Sequence, residues 1–349
     1  MVQKPIRKNI LDLSKDDLTS WLGAREIAPY RAEQILKWVY LHQAETFEVM
    51  TDVSKEMRAL LSQHFSINRL HKVKIETSKD GSQKYLFRLN DDKHIESVLI
   101  PERDHYTLCV SSQVGCAQGC QFCLTATGGF ERNLAVGEIL AQVRDIQKDL
   151  DDINRLRNIV FMGMGEPLAN YHNLVRALRI ITDNDYGLRF ASRRVTVSTA
   201  GLVPKLPALG RDTKVNLAVS LNATDNETRN QLMPINRKYP LERLLEACRD
   251  YRVAPGRMIT FEYILIKGIN DTQNDARRLA KLLRPIRSKI NLIPFNAHAG
   301  CDYDRPDEAV ISRFQEILIE KNYTVMIRQS KGKDISAACG QLRAKSAIF

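Results

Sequence analysis

The chain has 349 residues, 44% hydrophobic and 27% charged, which is a globular composition rather than a disordered or fibrous one. No apolar run approaches the roughly 20 residues that span a bilayer, and the length points to a main domain with a smaller one appended. A formal net charge of +11 favours a polyanionic partner, since each phosphate neutralised by Lys or Arg releases counterions. A basic surface that serves only solubility is the plain alternative.

The first residues, "MVQKPIRKNILDLSKDD", lack the apolar core of a signal peptide, so a cytoplasmic protein without a membrane partner is expected. In a reducing compartment the seven cysteines are not expected to build a disulfide framework. Closely spaced ones read instead as metal ligands or catalysts. From about residue 10 to 65, "KDDLTSWL", "PYRAEQILKWVYLH" and "SKEMRALLSQHF" carry apolar residues at helical spacing and predict a small helical unit. A hairpin follows, "KVKIETS" and "KYLFRL" around the turn "KDGSQ", and then "HIESVLIP".

From about residue 105 short β-branched runs alternate with amphipathic helices. The predicted strands are "YTLCVSS", "RNIVFMG", "RRVTVST", "KVNLAVSL", "MITFEYILI", "KINLIPF" and a last one, "TVMIRQ". Between them lie helices such as "VGEILAQVRDIQKDL", "NLVRALRIIT", "LERLLEACRDYRV", "TQNDARRLAKLLRPI" and "DEAVISRFQEILIEK". This is an α/β pattern, and it predicts a parallel sheet curved into a full or partial barrel. In such folds chemistry gathers at the C-terminal ends of the strands. Five polar or glycine-rich segments follow strands directly here: the loop holding Cys116, Cys120 and Cys123, then "GMGEP", "STAG", "SLNAT" and "PFNAH". The predicted organisation is a helical accessory domain at 1–80 with a linking hairpin to about 100. A core domain at 101–335 follows, then a C-terminal segment at 336–349.

The loop "VGCAQGCQFCLTATGGF" sets Cys116, Cys120 and Cys123 at C-x3-C-x2-C, with Gly115 and Gly119 letting the backbone wrap tightly. Structural zinc normally takes four ligands, and the seven histidines show no H-x3-H arrangement to complete such a set. A four-iron cluster held by three thiolates keeps one iron open, as a catalytic site does. Phe122 would shield it. In "GMGEPL", Gly165 permits close backbone approach and Glu166 is a candidate acceptor for an ammonium group; alone, the segment reads as a turn with a surface Glu. Ser198 in "VSTAG", Ser220, Leu221 and Asn222 in "SLNAT", and Asn296 in "PFNAH" stand at the ends of later strands, the positions that the resemblance given below implies for a cofactor's ribose and adenine edge. Cys339, in "GKDISAACGQL", lies among small residues with Lys331, Lys333 and Arg343 nearby, a setting that favours a thiolate. Cys109 precedes the three-cysteine loop. Cys248 reads as a small buried hydrophobe, and Cys301 takes no role.

C-x3-C-x2-C with an aromatic before its last Cys resembles the radical S-adenosylmethionine (SAM) superfamily. The resemblance implies a partial (β/α)6 TIM-like barrel, a [4Fe-4S] cluster on Cys116, Cys120 and Cys123, and a cofactor bound through its amino and carboxylate groups at the open iron. Across nearly the whole chain, "CVSSQVGC", "GMGEP", "RRVTVST", "KINLIPFN" and "ACGQL" resemble the RlmN/Cfr adenosine methyltransferases. That family's mechanism implies that Cys339 takes a methyl group from one SAM and that a radical from a second activates it for addition to adenine. Glu96, in "HIESVLIP", then takes the displaced proton, and Cys109 forms a disulfide with Cys339 that releases the product. Asn222 departs from the His that many members carry there.

The partners so implied are 23S ribosomal RNA, the adenosine beside the tRNA anticodon, and an electron donor such as flavodoxin, for a monomeric enzyme. The N-terminal unit and Arg189, Arg193 and Arg194 are candidate phosphate contacts, equally readable as solvated faces. Arg132 and Asn133 fit either the cofactor pocket or an RNA cleft. Three alternatives stand beside C2 methylation: Cfr-type C8 methylation, a non-enzymatic iron–sulfur RNA-binding protein, and a radical enzyme acting on a protein or small molecule. The last two leave the open iron or the cysteine pair idle.

Overall fold

A ten-stranded mixed sheet organises the computed structural model, which describes residues 7–298 and 301–344. In chain order its strands are β1 (His71–Thr77), β2 (Gln83–Arg88), β3 (His94–Pro101), β4 (Tyr106–Cys109), β5 (Leu156–Phe161), β6 (Val195–Thr199), β7 (Asn216–Ser220), β8 (Ile259–Leu265), β9 (Ser288–Pro294) and β10 (Val325–Ile327). They lie side by side in this same sequence across the sheet. Strands β1 to β4 pair antiparallel. From β4 to β10 every pairing is parallel. Among the described residues no pairing joins β10 back to β1, so the sheet stays open.

Parallel neighbours need crossovers, and helices Val136–Gln147, Tyr171–Thr182, Leu206–Asp212, Leu241–Arg249, Gln273–Leu283 and Glu308–Glu320 supply them. Flanked on both sides and covered by helices, β8 is buried at all but one of its residues, which is why it reads as a nearly continuous apolar run. Helix Gln273–Leu283 shows how local sequence sets an element. Thr272 and Asp275 form a reciprocal capping box, and Ala276, Leu279, Ala280 and Leu283 make the buried stripe.

The three N-terminal helices form at Lys15–Gly23, Tyr30–Tyr40 and Lys55–His64, as their periodicity predicts. The segments flanking them dock on the crossover helices through polar anchors. Asp12 Oδ1 accepts from the Gly137 N–H at 2.7 Å, and the buried Asp145 accepts from Arg69 Nε at 3.0 Å and the Leu70 N–H at 2.7 Å. The hairpin strands β1 and β2, with β3, extend the main sheet instead of standing apart from it. Alternation marks a strand in sequence but does not say which sheet it joins. Short helices at Leu124–Thr127, Leu206–Asp212 and Asn226–Leu232 went unpredicted, because two turns or fewer carry too little periodicity to read. No helix among the described residues is long and apolar enough to cross a membrane.

Candidate active site

The loop after β4 is fixed at three places. The Cys116 N–H donates to the Gly129 carbonyl at 2.7 Å, the Gln121 N–H to Leu232 O at 3.0 Å, and the Leu124 N–H to Gly340 O at 2.7 Å. Gly115, at φ +71°, has no room for a side chain, since a Cβ there would sit 2.0 Å from Gly129 O. The loop thereby aims Cys116, Cys120 and Cys123 into one cavity at the C-terminal ends of the strands. Burial pushes the Cys116 thiol up to about 11 and raises Cys120 and Cys123 as well. Phe122 is buried against Leu232, Met233, Ile235 and Tyr239, an apolar wall behind the thiols.

The same cavity is lined by Gly165, Glu166, Ser198, Ser220, Asn222 and Cys339. Gly165 lies at φ +98°, where a Cβ would meet Gln113 Cβ at 2.5 Å, so the "GMGEP" turn presses on the cysteine loop's stem. Glu166 is buried, with Oε1 accepting from the Leu168 N–H at 3.0 Å and Oε2 from the Ala200 N–H at 2.7 Å. Burial raises its pKa against those two hydrogen bonds, and each oxygen keeps a lone pair for a ligand. Asn222 takes a left-handed conformation at φ +59° and is already engaged. Its Oδ1 accepts from the Ile264 N–H at 2.9 Å, and its Nδ2 donates to Met233 Sδ at 3.2 Å. Leu221 is fully buried and does not line the cavity; its carbonyl accepts from Arg229 Nε at 3.0 Å. Asn296 is buried beyond β9, where Nδ2 donates to the Cys339 carbonyl at 3.3 Å.

Cys339 stands in a wall between two spaces. With Gly340 it lines both the first cavity and a second one, which Cys109 and Lys331 also border. Its segment is clamped to the cysteine loop and to the segment after β9. Thr125 Oγ1 donates to Leu342 O at 2.6 Å, and Gln341 Nε2 to Ala297 O at 2.8 Å. Burial, then the charge of Cys339, pushes the Cys109 thiol up to about 12. Lys331 turns to the Pro101 carbonyl and to Glu102. Arg343 gives its main-chain N–H to Glu96 Oε2 at 2.8 Å. Glu96 itself is buried on β3 rather than exposed, and burial raises its pKa against the nearby Lys84 ammonium.

Sequence reasoning missed three charged residues at this rim. Arg328, just after β10, lines both cavities, and neighbouring Cys339, against burial, and then the Glu262 carboxylate hold its pKa above the ordinary value. Glu262 projects from β8 with Oε1 accepting from Asn291 Nδ2 at 2.9 Å. A lone carboxylate inside the apolar run "MITFEYILI" was its signal. Arg229 is fully buried and donates to the carbonyls of Ala200 at 2.8 Å, Ser220 at 3.1 Å and Leu221 at 3.0 Å, and to Asn236 Oδ1 at 3.0 Å. It ties the ends of β6 and β7 together, although the polar run "NETRNQL" gives no sign of a buried charge. Arg229→Met leaves four buried oxygens without that donor and is expected to cost about 3 kcal/mol, measurable by urea unfolding.

Among the described residues no three His, Cys, Asp or Glu side chains converge on a point fit for a single metal ion. The three thiols border a shared space instead, as a cluster requires when each iron takes one thiolate. Two buried acceptors, Glu262 Oε2 in the cavity wall and Asn296 Oδ1 beside Cys339, have no protein partner. A ligand rich in N–H and O–H donors would satisfy them, so these residues fit an iron–sulfur cluster and a nucleoside cofactor.

Thiols of this spacing at the mouth of an open parallel sheet define a radical SAM protein. Residues 110–282 match the family model "Radical SAM superfamily", and residues 8–67 match "Ribosomal RNA large subunit methyltransferase N-terminal domain". A relative from Desulfosudis oleivorans, "Dual-specificity RNA methyltransferase RlmN", is 59% identical over 97% of this chain and 91% of its own length. One of the same name from Geobacter sulfurreducens is 54% identical over 97% and 92%. The crystal structure of a radical SAM methyltransferase from Sphaerobacter thermophilus superposes with a TM-score of 0.91 at 44% identity, covering 97% of this chain and all of that one. The chain belongs to the RlmN family of the radical SAM superfamily.

Proposed function

We propose that this protein methylates C2 of an adenosine in 23S ribosomal RNA and of the adenosine beside the tRNA anticodon. The observation that carries the reading is the placement of Cys339 on the wall between the three-thiol cavity and the space bordered by Cys109. When bound, a [4Fe-4S] cluster and SAM supply a 5′-deoxyadenosyl radical, which is what an electron-poor ring carbon demands in place of ordinary methyl transfer.

The chain's own residues do the rest. Cys116, Cys120 and Cys123 hold the cluster. Gly165, Glu166, Ser198, Ser220, Leu221, Asn222 and Asn296 form the cofactor cradle, and Glu166 faces the ammonium. For Leu221 the contribution is main-chain, and for Asn222 it is shape together with what remains of its amide. Cys339 carries the methyl group as a thioether, Glu96 takes the proton displaced from the ring, and Cys109 closes a disulfide on Cys339 to free the product. Arg328, beside both thiols, supplies the positive charge that a forming thiolate needs.

The enzyme works as a cytoplasmic monomer with an electron donor of the flavodoxin kind. Arg193 and Arg194 precede β6, at the end of the parallel strands opposite the thiols, so RNA reaching the site touches them only if it wraps the barrel. Anaerobically reconstituted protein given ribosomal RNA and tRNA is expected to yield 2-methyladenosine on both, mapped by mass spectrometry. Methylation at C8 overturns the regiochemistry, and an unmodified tRNA overturns the second substrate.

A further inference from the structure

If Glu96 takes a proton in every turnover, that proton has to leave a buried carboxyl. One of its oxygens is closed off, since Oε2 accepts the Arg343 N–H under the C-terminal segment. The other faces a lysine. Lys84 Nζ, on β2, lies 3.4 Å from Glu96 Oε1 and 3.2 Å from Glu76 Oε2, on a side chain only 9% exposed. Glu76 is the cross-strand partner of Lys84 on β1, and its side chain is 31% exposed and so meets water. Three adjacent strands thus set a carboxyl, an ammonium and a second carboxyl in line from the interior to solvent. A structural counterion for Glu96 would need only the first pair. The second carboxylate, wet and within reach of the same ammonium, makes the row a path.

We propose that Lys84 is a positioning residue for Glu96 that passes its proton outward through Glu76. As the Glu96 carboxyl gives its proton to Lys84, the Lys84 ammonium gives one to the Glu76 carboxylate, which then loses it to water. One O–H bond breaks at Glu96 and one forms at Glu76, Lys84 ends as it began, and no electron moves. The inference rests on the reading of Glu96 as the base.

The test follows single turnovers of enzyme already methylated on Cys339 with a labelled RNA hairpin. It scores separately the formation of the covalent enzyme–RNA adduct and its decay to product. Lys84→Met is expected to form adduct at a near-native rate and resolve it at least about tenfold more slowly, with Lys84→Arg recovering most of the loss. Glu76→Gln, a half-buried and readily folded change, is expected to slow decay alone by about threefold or more. Glu96→Gln should halt decay. If Glu96→Gln resolves the adduct at the native rate, the base assignment itself fails. If it stalls while Lys84→Met and Glu76→Gln resolve normally, Glu96 stands and the relay is overturned. Slow decay in Lys84→Met with native decay in Glu76→Gln overturns the exit through Glu76. Equal losses in formation and decay mark Lys84 as merely structural. Should Lys84→Met not fold, Glu76→Gln alone decides.

Discussion

Cys339→Ala is expected to assemble its cluster with native iron and sulfide content, to bind SAM, and to transfer no methyl group, a loss of at least about a thousandfold. The substitution removes one sulfur from the wall between two cavities and leaves the main-chain clamp alone. The Cys339 carbonyl still accepts from Asn296, and Gly340 O still accepts from the Leu124 N–H. Loss of the fold therefore cannot stand in for loss of chemistry. Iron and sulfide analysis with visible absorption reports the cluster, and methyl incorporation into RNA reports the reaction. An alanine variant that still methylates RNA would falsify the thioether route.

Cys109→Ala is expected to pass the early steps and stop at the last, so that enzyme and RNA remain joined. Cys109 is buried at the end of β4 and borders the cavity that holds the other face of Cys339. Burial keeps its thiol protonated well above neutrality, with Arg328 the charge that opposes this. Alanine fills nearly the same space, so the sheet should tolerate it. A band of protein bound to RNA on a denaturing gel, approaching one adduct per enzyme while free methylated RNA falls at least about a hundredfold, is the expected result. Free product at the native rate, without adduct, would remove Cys109 from the release step.

Much of this fold is legible in the sequence because parallel strands buried on both faces advertise themselves. "KVNLAVSL" and "KINLIPF" leave little room for another assignment, and the segments that follow them fall at one rim. The three thiols are legible because their spacing is local. Lys84, Arg229, Glu262 and Arg328 are not, and for a shared reason. Each is charged and nearly all are deeply buried, so the pattern that marks surface residues misfiles them; only the partners brought by other strands reveal their setting. Lys84 sits in "KYLFRL" as one more polar position of an alternating strand, and its two carboxylates come from β1 and β3. The joining of the hairpin to the main sheet was hidden likewise, since pairing across strands is decided by geometry far along the chain.

Cys339 and Gly340 line both cavities, in a shared wall with Cys123, Thr125, Met162, Gly163 and Arg328. A group placed on that sulfur from one chamber is already on offer in the other, so donor and acceptor molecules need never share a room. On the proposed reading, a large polyanion and a highly reactive fragment would meet that sulfur from different sides.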